Sequence, residues 1–157
     1  MSKVVFVFMF LIFSVFAFSE VDSKDSATTN NNELSEFEVM LEGMKTCSGF
    51  DLYYDKNLKR SIHPFFIGKT PSYIDDDYVV YDVEEYYYGM KVLKITIPNR
   101  FPVVDIEIDE DVESVKVKVG KLFVNGFHLV YPPDEKLDKP VVEKSSSDDK
   151  RTNITCD

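Results

Sequence analysis

The chain has 157 residues, with 28 acidic and 18 basic side chains, a formal net charge of −10, two cysteines, two histidines and no tryptophan. Its length is typical of one domain, and its acidic balance excludes the ordinary basic footprint of a nucleic-acid-binding protein, because binding a polyanion requires Lys and Arg. The few histidines and cysteines leave little from which to build a metal site or a nucleophilic triad, and we expect no cofactor.

Residues 1–19 have the parts of a secretory signal peptide. Lys3 is their only charged residue, and the apolar stretch over residues 4–18 is shorter than the roughly 20 residues that cross a bilayer as a helix. Small residues at Ala17 and Ser19 predict cleavage after Ser19; cleavage after Ala17 and an uncleaved membrane anchor are the alternatives. Cleavage after Ser19 removes Lys3 and no acidic residue, so the mature net charge becomes −11. We therefore expect a secreted or periplasmic protein with no stable membrane anchor.

A single domain is predicted over residues 33–139, after a polar, flexible leader over residues 20–32 that has almost nothing to bury. The first element of this domain is predicted as a helix. Asn32 is a good N-cap, and the apolar residues over positions 34–44 recur at helical spacing. A strand with alternating apolar residues over positions 37–41 is the alternative.

Three strands are predicted in the middle of the domain. Residues 78–83 are rich in β-formers, and residues 90–97 alternate between apolar and polar side chains. These two segments are predicted to form a hairpin joined through residues 84–89. The clearest strand covers residues 103–108, where the apolar residues face one way and the acidic residues face the other.

In the last part of the domain, the sequence does not decide between a helix and a strand for one element. Residues 112–123 have apolar side chains at helical spacing, with acids first and lysines later, which favours a helix, although alternating valines also suit a strand. A final strand is predicted over residues 127–131, and a polar tail over residues 140–157. Together these elements predict a small α+β domain, with an antiparallel or mixed sheet of four to five strands and one or two packed helices.

The two cysteines, Cys47 and Cys156, are predicted to form a disulfide, because an even number in an exported chain favours pairing. The bond would tie the polar tail to the domain near the end of the first helix. Intermolecular pairing and two free thiols are the alternatives. A cysteine nucleophile would need a histidine base, and His63 and His128 are both better explained as structural or surface residues.

Five tyrosines form the most unusual cluster in the sequence: Tyr78, Tyr81, Tyr86, Tyr87 and Tyr88. Tyrosine combines an apolar ring with a polar tip and is enriched at interfaces. The cluster is therefore the candidate binding face. The alternative is that about half of these rings pack in the core, where they replace the missing tryptophan.

Asp105, Glu107 and Asp109 are weak candidates for cation binding, because calcium prefers carboxylate oxygens as ligands. A twelve-residue calcium loop needs glycine at its sixth position, where this chain has Glu110. The alternation of a half-buried strand already explains the three acids, so we predict no metal site.

Two short motifs carry little weight. Gly68-Lys69-Thr70 is similar to the end of a phosphate-binding loop, but the first glycine of that loop would stand at the position of His63. Asn153 begins an Asn-Ile-Thr pattern that accepts N-linked glycans only in a eukaryotic secretory pathway.

These features favour a small acidic, non-enzymatic protein that binds or neutralises a macromolecular partner, most concretely a basic protein. One alternative is a secreted hydrolase that uses carboxylates, with or without a metal ion. A second alternative is an envelope structural or accessory protein. An enzyme would bring carboxylates with raised pKa values together in a deep pocket, whereas a binder would capture a cationic protein in a salt-sensitive way.

The signal peptide leads to a test. When the full chain is expressed through a secretory pathway, the exported protein should begin at Glu20, because Ala17 and Ser19 provide the small residues that signal peptidase requires. N-terminal sequencing and intact mass would measure this. An exported or membrane-bound product that keeps residues 1–19 would contradict the expectation.

Overall fold

The computed structural model describes residues 33–100, 102–123, 125–129 and 138–157. The predicted signal peptide (1–19) and leader (20–32) lie outside the described residues. Two α-helices and eight strands occur in the described part, in the order α1 (Glu36–Met40), β1 (Tyr54–Asp55), β2 (Arg60–Ser61), β3 (Tyr73–Ile74), β4 (Tyr78–Tyr87), β5 (Met90–Pro98), β6 (Val104–Ile108), α2 (Val112–Leu122), β7 (Val141–Lys144) and β8 (Thr152–Cys156). Short 3₁₀ turns cover Glu42–Lys45 and Pro64–Phe66.

The main sheet has six antiparallel strands in the order β3-β4-β5-β6-β8-β7, and β1 and β2 form a separate two-stranded sheet. The predicted α+β class is confirmed, but the expected four to five strands were too few. The difference lies in residues 140–157, which were expected to form a polar tail and instead supply β7 and β8. The compact unit accordingly extends over residues 33–157 rather than ending at residue 139.

The polar character of β8 explains why the sequence pattern missed it. Thr152, Ile154 and Cys156 are buried, and only the central one of these is a large apolar residue. The residues between them, Asn153 and Thr155, belong to the face that the core does not cover. Both neighbours of β8 are nonetheless fully paired with it, β6 on one side and β7 on the other.

The hairpin of β4 and β5 is longer than predicted. Its two-residue turn is formed by Tyr88 and Gly89, both of which have positive φ values, 48° and 76°. A two-residue turn with positive φ at both positions matches the right-handed twist of the flanking strands. The strands therefore continue to the turn through residues that were expected to form the connection, 84–87.

Each helix is fixed by a capping side chain. Ser35, rather than Asn32, caps α1, and it forms a reciprocal capping box with Glu38. Asp111 caps α2 by accepting hydrogen bonds from the backbone N–H groups of Glu113 and Ser114. This segment is therefore a helix, and the strand that the alternating valines also suited does not form. In the described part of the predicted final strand, only His128 makes a bridge, to Val141.

The core lies against one face of the six-stranded sheet. Strands β4, β5 and β6 contribute alternate residues to it, and both helices cover it with apolar side chains such as Phe37 and Val115. The other face of the sheet carries mainly polar side chains. Within the described ranges, neither helix is long and apolar enough to span a bilayer.

The predicted disulfide is confirmed: Cys47, which follows α1 and its 3₁₀ extension, is bonded to Cys156 at the end of β8. Both cysteines are buried. The bond joins the helical layer to an interior strand of the sheet rather than holding a loose tail. A disulfide persists in oxidising compartments, so its presence is compatible with a protein outside the cytoplasm.

The disulfide closes a loop with a sequence separation of 109 residues, and its loss should lower the free energy of unfolding. The chain-entropy model gives about 4.7 kcal/mol for a loop of this size, and measured values usually lie between ~2 and ~5 kcal/mol. We expect this loss in the Cys47→Ser/Cys156→Ser double variant, measured by denaturant unfolding. Reduction of the wild-type protein should give the same stability as the double variant; equal stability of the oxidised protein and the variant would contradict the prediction.

Candidate functional site

The structure divides the five candidate tyrosines between the core and the surface. Tyr81 and Tyr87 are 1% and 0% exposed, so they are core residues rather than members of a binding face. Tyr78 and Tyr86 are exposed, and Tyr88 is half-buried beside α1. The reason is the period of a strand: neighbouring residues of β4 point to opposite faces, so consecutive tyrosines cannot share one surface.

Two of these tyrosines, Tyr81 and Tyr88, have structural roles. The Tyr81 hydroxyl lies 2.7 Å from the Ser61 hydroxyl and links β4 to the small sheet. The Tyr88 hydroxyl donates to Glu42 Oε1 at 2.6 Å, and its backbone N–H donates to Glu38. These bonds attach the hairpin turn to α1 and its 3₁₀ extension. Tyr88 therefore fastens the helical layer to the sheet.

The side of the main sheet opposite the core, which we call the open face, contains a groove of about 500 Å³. The groove extends from the exposed rings of Tyr73 and Tyr78 across the central strands to the turn between β7 and β8. Asp105 and Glu107 of β6 lie in it, two residues apart on the same face, as the sequence predicted. Tyr73 and Tyr78 are 51% and 40% exposed, and their ring centroids are 5.8 Å apart.

Tyr73 was missed by sequence reasoning, because its strand has only two residues and follows a Pro-Ser pair. The available signal was its position on the other side of an acidic turn from Tyr78. In that turn the Asp75 carboxylate accepts hydrogen bonds from the backbone N–H groups of Asp77 and Tyr78. Tyr73 donates its hydroxyl to the same carboxylate at 3.2 Å, so the turn holds the two rings side by side.

Glu107 is surrounded by donors. Its carboxylate accepts hydrogen bonds from Arg151 Nη1 at 2.8 Å, Ser147 Oγ at 2.9 Å and Ser145 Oγ at 3.4 Å, and Lys94 Nζ lies 3.6 Å away. Burial alone raises the pKa of Glu107, but the bonds from Ser147 and Arg151 and the two positive charges together lower it below the usual value. This cluster joins β5 and β6 to the turn before β8, and its carboxylate is fully engaged.

Asp105 has a different environment, although it is only two residues away. Thr155 Oγ1 donates to one of its oxygens at 2.6 Å, and Asn153 Nδ2 donates to the other at 3.3 Å. Within the described residues no Lys, Arg or His forms an ion pair with it. Burial raises the pKa of Asp105 to about 6; the Thr155 bond opposes this rise, and the charges of Glu107 and Glu143 add to it.

Asn153 has a side-chain acceptor without a partner in this region. Its Oδ1 atom is buried and accepts no hydrogen bond, while its Nδ2 atom donates to Asp105. Buried polar atoms are nearly always paired, so this acceptor is an exception within the described residues. Asn153 also begins the glycan acceptor pattern, and a glycan on Nδ2 would disrupt the bond to Asp105.

The remaining candidates have ordinary structural roles. His63 Nδ1 accepts a hydrogen bond from the backbone N–H of Phe65 at the start of a 3₁₀ turn. His128 Nε2 lies 3.4 Å from Asp138 Oδ1. Asp109 Oδ1 lies 3.9 Å from Nε of Arg151, the same guanidinium that donates to Glu107. In the part of the chain that the structure describes, no group of three or more His, Cys, Asp or Glu residues is placed to hold a metal ion.

Comparisons of this chain with protein-family models, with curated proteins and with solved structures found no match. The chemistry of the open face is therefore the only basis for a functional proposal.

The two carboxylates of β6 should have opposite effects on stability as pH changes. Asp105 has a raised pKa in the folded state, so its ionisation destabilises the fold as pH rises from about 3.8 to about 6. Asp105→Asn, which stays neutral, should match the wild type below pH ~4 and exceed its free energy of unfolding by up to ~3 kcal/mol at pH 7. Urea unfolding at a series of pH values would measure this.

Glu107→Gln is the matched control, because it changes the same face of the same strand. The pKa of Glu107 is lowered, so its charge stabilises the fold above pH ~4.5 and this contribution is lost as the pH falls through the folded-state pKa. The variant should be less stable than the wild type at pH 7, with a smaller deficit in acid. If the Asp105→Asn difference stayed constant from pH 3 to pH 8, the raised pKa would be refuted.

Proposed function

We propose that this chain is a non-enzymatic, exported binding protein whose open-face groove takes a cationic segment of a protein partner. The observation that carries the proposal is Asp105: a partly buried carboxylate that receives two neutral hydrogen bonds and has no cation partner among the described residues. A Lys or Arg side chain from a partner would supply the missing positive charge.

The local charges favour a cation at this position. Glu107 and Glu143 add negative potential at Asp105, as the rise in its pKa reflects. The two basic side chains nearest the groove, Lys94 and Arg151, are both engaged with Glu107. A partner cation therefore would not have to displace an existing ion pair of Asp105.

The aromatic wall of the groove, formed by Tyr73 and Tyr78, suits the same kind of ligand. A guanidinium or ammonium group within about 6 Å of an aromatic ring is attracted by the ring quadrupole, and exposed tyrosines supply large contact area at low entropic cost. Tyr73 and Tyr78 are already held as a pair by the acidic turn at Asp75, so ordering them costs little on binding.

The overall charge supports capture of such a partner. A net charge of −10 creates a negative potential that raises the encounter rate with a basic protein, in a way that salt screens. The predicted signal peptide and the disulfide favour a partner met outside the cytoplasm, in a secreted or periplasmic setting.

The hydrolase alternative is less well supported by the same residues. Raised and lowered pKa values on two nearby carboxylates are a pattern that acid–base enzymes use. Here, however, the carboxylate with the lowered pKa, Glu107, is occupied by Arg151, Ser145 and Ser147, so it has no free oxygen for a nucleophile or a general base. The groove is also an open surface rather than a deep pocket. Both features favour binding over catalysis.

Capture experiments would test the proposal. Mature protein beginning at Glu20, immobilised and exposed to extract from its native compartment, should retain a basic protein at low salt and release it at high salt. The affinity for that protein should fall at least tenfold in Tyr73→Ala/Tyr78→Ala, because the aromatic wall is lost. It should also fall in Asp105→Asn, and in the wild type below pH ~6, because the carboxylate charge is lost.

Tyr53→Ala is the matched control, since Tyr53 is exposed and does not line the groove. It should leave the affinity unchanged. Equal binding by the groove variants and the control would show that the groove is not the binding site. Failure to retain any basic protein at low salt would contradict the proposed function itself.

A further inference from the structure

Strand β4 has an edge that is left largely unpaired. Eight of its ten residues pair with β5 on one side, with a register shift between Asp82 and Glu85, but on the other side β3 pairs only with Val79 and Val80. Beyond Val80, no backbone hydrogen bond in the described part of the chain reaches this edge, although Lys69 and Thr70 line a cavity beside Asp82 and Glu84. The exposed length, from Asp82 to Tyr86, is about 17 Å of extended backbone.

The backbone groups of alternate residues in this segment point away from β5. The carbonyl oxygens of Tyr78 and Val80 accept hydrogen bonds on the β3 side, from Asp75 and Ser72. Since the backbone direction alternates along a strand, the N–H and C=O groups of Asp82 point to the same side. At the other end, Tyr87 pairs with Met90 next to the two-residue turn, so the preceding residue, Tyr86, also points away from β5.

The side chains along this edge are acidic and aromatic. Asp82, Glu84 and Tyr86 are all exposed on the open face, and Tyr86 is 58% exposed. Neither Asp82 nor Glu84 forms an ion pair within the described residues. The opposite edge of the sheet is different: the backbone of His128 bonds to Pro140 and Val142 and covers the start of β7.

We propose that the β4 edge over residues 82–86 takes an extended, basic segment of the partner protein as an additional antiparallel strand. Backbone hydrogen bonds would supply affinity, and alternate Lys or Arg side chains would meet Asp82 and Glu84 on the open face. This inference rests on the proposed function and specifies the form of the cationic segment, because the edge is continuous with the groove through Tyr78 and Val80 on the same face of β4.

A second copy of the chain fits this edge poorly. Two-fold antiparallel pairing centred on residue 84 would set Glu84 opposite Glu84, and like charges directly opposite each other destabilise a strand pair. The acidic side chains therefore select against self-association and for a basic strand, in keeping with the use of edge charges to prevent aggregation.

Three synthetic peptides test the strand addition. The parent is a capped hexapeptide that alternates Lys and Thr; the other two carry backbone N-methyl groups on the lysines or on the threonines. With Lys opposite Asp82, the lysine N–H groups are those that bond to β4, so methylation there should weaken binding at least tenfold. Methylation of the threonines should have little effect. Affinities come from titrations followed by ¹⁵N NMR of the mature protein at low salt.

Two further measurements locate the contact. Hydrogen exchange of the Asp82 and Tyr86 amides should slow at least tenfold when the parent peptide binds. The charge-reversal variant Asp82→Lys/Glu84→Lys should lose binding, whereas Glu113→Lys, on the exposed surface of α2, should bind the peptide much more strongly than that variant. Because both tests with methylated peptides use the wild-type protein, misfolding of a variant would not affect them.

Several results would overturn the inference. Equal affinity of the parent and lysine-methylated peptides would show that charge alone mediates the contact. Absence of binding by the parent peptide would show that the edge does not accept a basic strand. Protection of the Asp82 amide that rises with protein concentration, without peptide, would assign the edge to a second copy. Different results would contradict the proposed function: the protein would capture no basic partner, or the capture would be unaffected by the substitutions at Tyr73, Tyr78 and Asp105.

Discussion

The structure depends on the alternation of side chains in a single sheet that is covered on one face only. Every residue of β4, β5, β6 and β8 is thereby assigned either to the core or to the open face. The core takes the isoleucines, most of the valines and two of the tyrosines of these strands, while the open face collects carboxylates, hydroxyls and amides from strands that are distant in sequence. A polar groove is the direct result of this arrangement.

Within that groove, the carboxylates of Asp105 and Glu107 on β6 have pKa values shifted in opposite directions, because the neighbouring elements supply different hydrogen-bond donors to each of them. The turn between β7 and β8 supplies Arg151, Ser145 and Ser147 to Glu107, which becomes a structural anchor. Strand β8 supplies only neutral donors to Asp105. The same strand therefore carries one carboxylate that is paired with cations and one that, among the described residues, receives only neutral donors.

Much of the site was predictable where local pattern and burial agree. The acidic outer side of β6 follows from strict alternation, and the disulfide follows from an even cysteine count in a chain that the sequence predicts to be exported. The β7–β8 pair was not predictable, because β8 has a single large apolar residue, Ile154, and its stability comes from pairing on both sides. To predict which tyrosines are buried, one must know which residues of β4 face the core, and the sequence alone does not show this. Tyr73 lies on a strand of two residues, which is too short to show an alternating pattern.

The insertion of β8 between β6 and β7 has a consequence for folding. Strand β6 ends at Ile108, and the strand that completes its pairing begins at Thr152, so the centre of the sheet closes through long-range contacts. Until then, the edge of β6 that β8 covers stays unpaired, and Cys156 at the end of β8 has not reached Cys47. Formation of the native disulfide is thus coupled to the docking of β8, because Cys156 belongs to that strand.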